Sequence, residues 1–341
     1  MPGTMTATEL LLLPAVLAAS LSALLTWAIR PLLLRHVLAS PNARSSHRVP
    51  TPQGGGTAVI AATLIVAGLV IAYVNSFNFA AVPLAVFCAT LFIALVGMAD
   101  DIKSIPVLPR LLLQAAAVGA IILAAPDDAR IVPACPLWIE RGLVLIAGLW
   151  FVNLVNFMDG LDLMTVAEVV PITAAMILLG WLGEFPPSAT IVAAALCGAM
   201  LGFAPFNRPV AKIFLGDVGS LPIGLLLGWC LLQLAYHGQF AAALLLPLYY
   251  LSDATLTLLR RMTKGEPFWA AHRSHFYQRA TDNGYSVPRV VSEVFALNIA
   301  LAILAVASIK LGSIAAGIVC LLAGAIAVTL VLCRFSRRQT A

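Results

Sequence analysis

Four groups of polar side chains interrupt an otherwise apolar sequence, and each has residue types suited to phosphate or metal ions. Gly97-Met-Ala-Asp100-Asp101-Ile-Lys103 sets two carboxylates side by side. They repel each other and so suit a divalent cation or a shared proton, or they merely end a helix in solvent. Asn153-Leu-Val-Asn156-Phe-Met-Asp159-Gly-Leu-Asp162 repeats a polar residue every three positions. On a helix Asn153 and Asn156 share a face with Asp159 just beyond. Such a row can hold a nucleobase or sugar or orient a metal ligand, and its bland alternative is hydrogen-bond glue between helices. Phe214-Leu-Gly216-Asp217-Val-Gly219-Ser220 predicts a helix starting near Ser220 whose free N–H groups face phosphate, with Asp217 beside them as a metal ligand. A simple helix cap is the alternative. His272-Arg273-Ser-His275-Phe-Tyr-Gln-Arg279 puts two His and two Arg within eight residues, an anion-binding patch or an ordinary basic loop.

Three lesser features accompany them. Ser45-Ser-His47-Arg48-Val-Pro-Thr51-Pro-Gln53-Gly-Gly-Gly56 is a basic, glycine-rich approach to an apolar run, or only a flexible turn. Asp253 lies inside an apolar run, where pairing with Arg260 or Arg261 is the expected role. Asp127-Asp128 is a second acidic doublet with no function assigned, and it serves as an internal control for the first.

The elements that must position these residues follow from composition. The 341 residues are 61% hydrophobic and only 10% charged, with a mean hydropathy of +0.99. Soluble chains carry about 25% charge, so the bilayer is this chain's solvent. Apolar runs near 9–29, 57–75, 80–98, 110–125, 139–157, 165–183, 188–206, 219–236, 240–259, 289–309 and 312–333 predict an all-α polytopic membrane protein. It has about 11 transmembrane helices in a single integral membrane domain over 1–341. The first run lacks a basic leader and reads as a retained anchor. Of the 20 Lys and Arg, 17 fall on one set of alternating loops, leaving Arg130, Arg141 and Lys310 on the other. Basic loops favour the cytoplasm, so the N-terminus is expected outside and the C-terminus inside. All four clusters then share the cytoplasmic face, in loops near 35–56, 99–110, 157–164, 207–219 and 260–288. The net charge of +5 follows topology and does not point to nucleic acid. Six scattered cysteines form no CxxC and read as small core residues.

Carboxylates, amides, a Gly-Asp-x-Gly turn and a His/Arg patch on one face suit a divalent metal and a polyanion. In this order they resemble the polyprenyl-phosphate N-acetylhexosamine-1-phosphate transferases. The resemblance covers roughly residues 40–290 and rests on the Pro/Gly segment at 50–56, Asp100-Asp101, Asn153 to Asp162, Gly216-Asp217-x-Gly219-Ser220 and the His loop. It implies transfer of a sugar 1-phosphate from a UDP-sugar to polyprenyl (undecaprenyl) phosphate, releasing UMP, at a bacterial inner membrane. It also implies Mg²⁺, with Mn²⁺ as a substitute. Asp217, Asp101 and Asn156 are the implied metal site, and Asp100, Asp101, Asp159, Asp217 and His275 the implied catalytic set. His47, Arg48, Thr51, Lys103, Asn153, Asn156, Asp162, Gly216, Ser220, His272 and Arg273 are the implied substrate contacts.

Two departures bear on the branch. The family's peptidoglycan members carry neighbouring histidines where this chain reads His275-Phe-Tyr277-Gln278, and His47 stands where a family lysine aligns. Both favour the branch that initiates O-antigen or exopolysaccharide chains, as the first membrane step of envelope polysaccharide synthesis. The phospho-N-acetylmuramoyl-pentapeptide transferase of peptidoglycan synthesis is the alternative. A transporter for a lipid-linked substrate would place its carboxylates near the midplane on repeated halves, which are not seen here. A scaffold would leave Asp217 unexplained. A homodimer is allowed, although no span shows a clean GxxxG face.

Overall fold

The computed structural model describes residues 7–39, 50–75, 83–266 and 272–339. Its helices are α1 (Ala7–His36), α2 (Gly56–Val74), α3 (Leu84–Ile102), α4 (Val107–Ala124), α5 (Leu137–Met158), α6 (Met164–Trp181) and α7 (Pro187–Phe203). They continue with α8 (Asp217–Tyr236), α9 (Phe240–Leu245), α10 (Leu248–Thr263), α11 (Phe276–Asp282), α12 (Val287–Lys310) and α13 (Ile314–Phe335). Among the described residues ten helices are long and apolar enough to cross a bilayer. They match ten of the expected runs in order, and the protein is an all-α polytopic membrane protein.

The expected ninth span, 240–259, is not one helix. It breaks between α9 and α10 at Leu246-Pro247. Proline has no N–H to give and its ring crowds the preceding turn, so an interior Pro247 ends one helix and starts the next. The two pieces still run from one end of the bundle to the other. Ala241 packs near Gly317 at the start of α13, while α10 leads into α11, whose Tyr277 hydroxyl donates to Phe157 O at the end of α5 (3.0 Å).

Helices α7 and α8 form the centre, with 78% and 83% of their spans buried, whereas α1 and α13 are 22% buried and face outward. Small residues explain the position of α7. A Cβ on Gly198 would stand 1.9 Å from Ala15 O and one on Gly202 2.2 Å from Ala19 O, so α1 lies directly on the α7 backbone. Helices α3 and α5 pack against α8, and α6 lies between α7 and α12.

A two-stranded ribbon, β1 (Leu38–Ala39) with β2 (Thr51–Pro52), closes the site end. Beyond β2 the glycines dock on the chain that leads into α8. Gly54 and Gly55 N donate to Phe214 O (3.2 and 2.9 Å), and Gly56 N donates to Leu215 O (2.8 Å). The segment thus has a defined seat and is not a loose turn.

Candidate active site

Three helix ends meet backbone to backbone. A Cβ on Gly56 would lie 2.1 Å from Gly219 Cα, and one on Gly97 2.3 Å from Asp217 O. No side chain separates α2 or α3 from the first turn of α8, which carries Asp217. Gly216 precedes that turn at φ +77°, a conformation glycine adopts without strain.

Asp101 occupies the α8 N-terminus. Its Oδ1 accepts from Asp217 N (2.9 Å) and its Oδ2 from Val218 N (3.0 Å), and Gln53 Nε2 also donates to Oδ1. The next two donors, Gly219 and Ser220 N, are taken by Gly216 O (3.0 and 2.9 Å). This corrects the expectation of free N–H groups facing phosphate near Ser220. The helix starts earlier, at Asp217, and a carboxylate from α3 already satisfies its end and its dipole.

Asp100 and Asp217 face the same cation. One guanidinium balances them: Arg110 Nη1 lies 2.7 Å from Asp100 Oδ2 and 3.9 Å from Asp217 Oδ2. Asn156 Nδ2 fixes Asp217 by donating to its Oδ1 (2.7 Å) and to Ser220 Oγ (2.8 Å). Among the described residues no group of three or more His, Cys, Asp or Glu side chains forms a metal cage. Two neighbouring carboxylates, of which Asp217 keeps 24% of its side chain exposed, fit Mg²⁺ instead, which takes few protein ligands and completes its shell with substrate phosphate and water.

Asp159 lies just past the end of α5 and accepts from Thr165 Oγ1. Burial, reinforced by the charges of Asp101 and Asp162 and opposed by the Thr165 bond, pushes its carboxyl up to about 7.

His275 starts α11. Asp253, fully buried on α10, gathers that helix's first turn by accepting from Phe276 N (3.0 Å), Tyr277 N (3.1 Å) and His275 Nδ1 (3.2 Å). Tyr249 and Thr257 hydroxyls complete its shell at 3.2 and 3.3 Å. The expected pairing of Asp253 with Arg260 or Arg261 therefore does not form, and Arg261 pairs with Glu266 (2.8 Å). With Nδ1 donating to Asp253, the buried ring of His275 lies against His272 (4.9 Å between centroids).

Several expected substrate contacts have other partners. Asn153 is buried and donates to Gln114 Oε1 on α4 (2.7 Å) and to Leu149 O (2.8 Å), so it is interhelical glue. Asp162 is buried and accepts from Ala211 N (3.0 Å), which ties its turn to the loop before α8. Arg273 folds onto α11, donating to Thr281 Oγ1 (3.0 Å) and pairing with Asp282 (3.2 Å). Thr51 is buried in the ribbon, and Ser220 holds Asn156. Lys103 is exposed at the end of α3 and His272 is half-buried. His47 and Arg48 lie outside the described residues. The sequence reading missed Arg110 and the capping roles of Gln53, Asp101 and Asp253. Arg110 alone had a visible signal, a cation one turn into the span after the acidic doublet.

Residues 83–235, which carry Asp100, Asp101, Arg110, Asn156 and Asp217, match the sequence profile of glycosyl transferase family 4. The decaprenyl-phosphate N-acetylglucosaminephosphotransferase of Mycobacterium leprae is 28% identical, over 76% of this chain and 73% of that protein. The Mycolicibacterium smegmatis protein of the same name is 27% identical, over 84% and 79%. A phospho-N-acetylmuramoyl-pentapeptide-transferase from Desulfotalea psychrophila is 29% identical, over 66% and 72%. By these matches the chain is similar to the polyprenyl-phosphate N-acetylhexosamine-1-phosphate transferases. It is a multi-pass membrane protein, and the relatives it matches are named as phosphotransferases.

Proposed function

We propose that this transferase moves N-acetylglucosamine 1-phosphate, or a closely similar N-acetylhexosamine 1-phosphate, from a UDP-linked donor to polyprenyl phosphate. The reaction releases UMP and uses Mg²⁺ at the cytoplasmic face of a bacterial inner membrane. The observation that carries the reading is the Asp100–Asp217 carboxylate pair balanced by Arg110 at the joined ends of α3, α4 and α8. The positive loops on the site's side support the cytoplasmic orientation. The two mycobacterial relatives, named for N-acetylglucosamine and decaprenyl phosphate, support the sugar.

A phosphate oxygen of the lipid attacks the phosphorus that bears the sugar. A new P–O bond forms, and the bond from that phosphorus to the UMP oxygen breaks. The attacking phosphate is already ionised near neutral pH, so no carboxylate needs to remove a proton. Asp100 and Asp217 would hold Mg²⁺, whose charge would stabilise the donor diphosphate and the departing UMP. Asn156 and Ser220 keep Asp217 aimed, Asp101 keeps its helix in place, and Arg110 limits repulsion between the two carboxylates. Catalysis is then placement of charge, a role for which fixed groups are well suited. His275, oriented by Asp253, meets the donor's sugar or diphosphate. In this reading Asp101 anchors the helix beside the metal ligands.

The pathway we read is initiation of O-antigen or a related envelope polysaccharide, with peptidoglycan synthesis as the competing assignment. Membranes carrying the protein are expected to exchange labelled UMP into UDP-N-acetylglucosamine only when polyprenyl phosphate and Mg²⁺ are both present. Exchange confined to UDP-N-acetylmuramoyl-pentapeptide would move the enzyme to the peptidoglycan reaction. No exchange with any UDP-sugar would refute the proposal.

A further inference from the structure

At the site end of the bundle, away from the carboxylates, a cavity of about 310 Å³ opens between Tyr285 and the end of α13, where Leu330, Arg334, Arg337 and Arg338 line it. Its walls are held by specific bonds. Gln339 N donates to Asn283 O (2.9 Å), Asn283 Nδ2 donates to Phe335 O (2.7 Å), and the Tyr285 ring packs edge-on against Phe335. Arg289 lies over the Tyr285 ring at 5.2 Å.

The charge here is unbalanced. Arg289 and Arg334 share one acid, Glu293, each at 3.2 Å. Among the described residues neither Arg337 nor Arg338 has a carboxylate partner, and both are exposed. Four guanidinium groups therefore face one carboxylate around a ready-made cavity. A general excess of arginine on one membrane face accounts for their number but not for a walled cavity. The approach to it is apolar. Ile326 and Leu330 are exposed one turn apart on α13, and Arg334 continues the same row.

We infer that this cavity binds the phosphate group of an anionic phospholipid, with the headgroup among Arg334, Arg337 and Arg338 and an acyl chain along Leu330 and Ile326. Guanidinium forks match phosphate oxygens, and an exposed apolar row leading into them suits a lipid better than a free anion. Gln339, in the cavity wall, is tied by its N–H to Asn283 O in the turn that ends α11.

The test uses the purified full-length protein and native mass spectrometry to follow retained phosphatidylglycerol, with phosphatidylcholine as the neutral comparison. Wild type is expected to retain phosphatidylglycerol selectively. At about 5-fold per surface arginine, R337Q/R338Q is expected to bind it about 30-fold more weakly. R337K/R338K, which keeps the charge, is expected to fall between the two. Sugar-phosphate transfer in detergent, unchanged in both variants, serves as the check on folding. Equal retention by wild type and R337Q/R338Q overturns the site. Displacement of the lipid by soluble glycerol 1-phosphate at comparable concentration assigns the cavity to a free phosphate ester and overturns the lipid assignment.

Discussion

The chain contains the same dipeptide, Asp-Asp, in two places, and its surroundings give it opposite uses. Asp127 is 80% exposed and, among the described residues, pairs with Arg141 at 2.7 Å in a solvent-facing ion pair of a kind that adds about 0–1 kcal/mol. Asp100 and Asp101 stand at the end of α3 where Gly97 admits the backbone of α8. One carboxylate meets Asp217 and Arg110, and the other takes two backbone N–H groups of another helix. Local sequence supplies the charge in both places. The difference comes from whether a second helix end is brought to it.

The sharpest way to break this comparison is at Asp217. D217N is expected to lower kcat about 10²- to 10³-fold in the UMP exchange assay, on the scale of losing one fixed transition-state charge. D127N and D128N are expected to stay at the wild-type rate; a comparable loss there would erase the contrast. The next effect separates the members of the active doublet. D101N weakens the acceptor for Asp217 and Val218 N and is expected to cost about 1–3 kcal/mol, read as a lower thermal midpoint along with lower activity. D100N is expected to lose activity and Mg²⁺ affinity with little change in midpoint. Equal midpoints for the two variants would remove the capping role from Asp101.

A smaller effect concerns acidity. The Asp159 carboxyl is raised in the folded protein from 3.8 to about 7, so between those values the folded state holds a proton that the unfolded chain releases. Its contribution to stability is therefore full below about pH 4 and is lost as pH rises through about 7. D159N is expected to flatten that part of the thermal midpoint against pH curve. An unchanged slope would place the titrating group elsewhere. The smallest effect is expected at Asn153. N153L, which removes a membrane hydrogen bond worth about 0.6 kcal/mol on average, should leave transfer intact. A large loss of activity would return Asn153 to the substrate site.

The spans were legible because a run of about 20 apolar residues has few alternatives in a bilayer. The one misread run is the one containing Pro247. The site was legible as residue types: Asp217, Asn156 and the Asp100-Asp101 doublet do converge. Roles were less legible because they depend on partners far along the chain. Asp101 acts on backbone 116 residues away. Asn153 and Asn156 have the right spacing for one face, yet they differ by enough rotation that one meets α4 and the other α8. Asp253 looked nearest to Arg260 and Arg261, but the donors of α11 enclose it first. In each case the competitor was a backbone N–H or an amide from another element, which no local pattern announces.

The glycine contacts at Gly56, Gly97 and Gly219 have a mechanical consequence. Helices seated directly on one another's main chain at one end can lean only by swinging their opposite ends. When a bilayer thickens or thins and its helices re-tilt to match, the displacement is largest at the far surface and smallest where Asp217 sits. Asp100 and Asp217 thereby stand where such re-tilting moves the helices least.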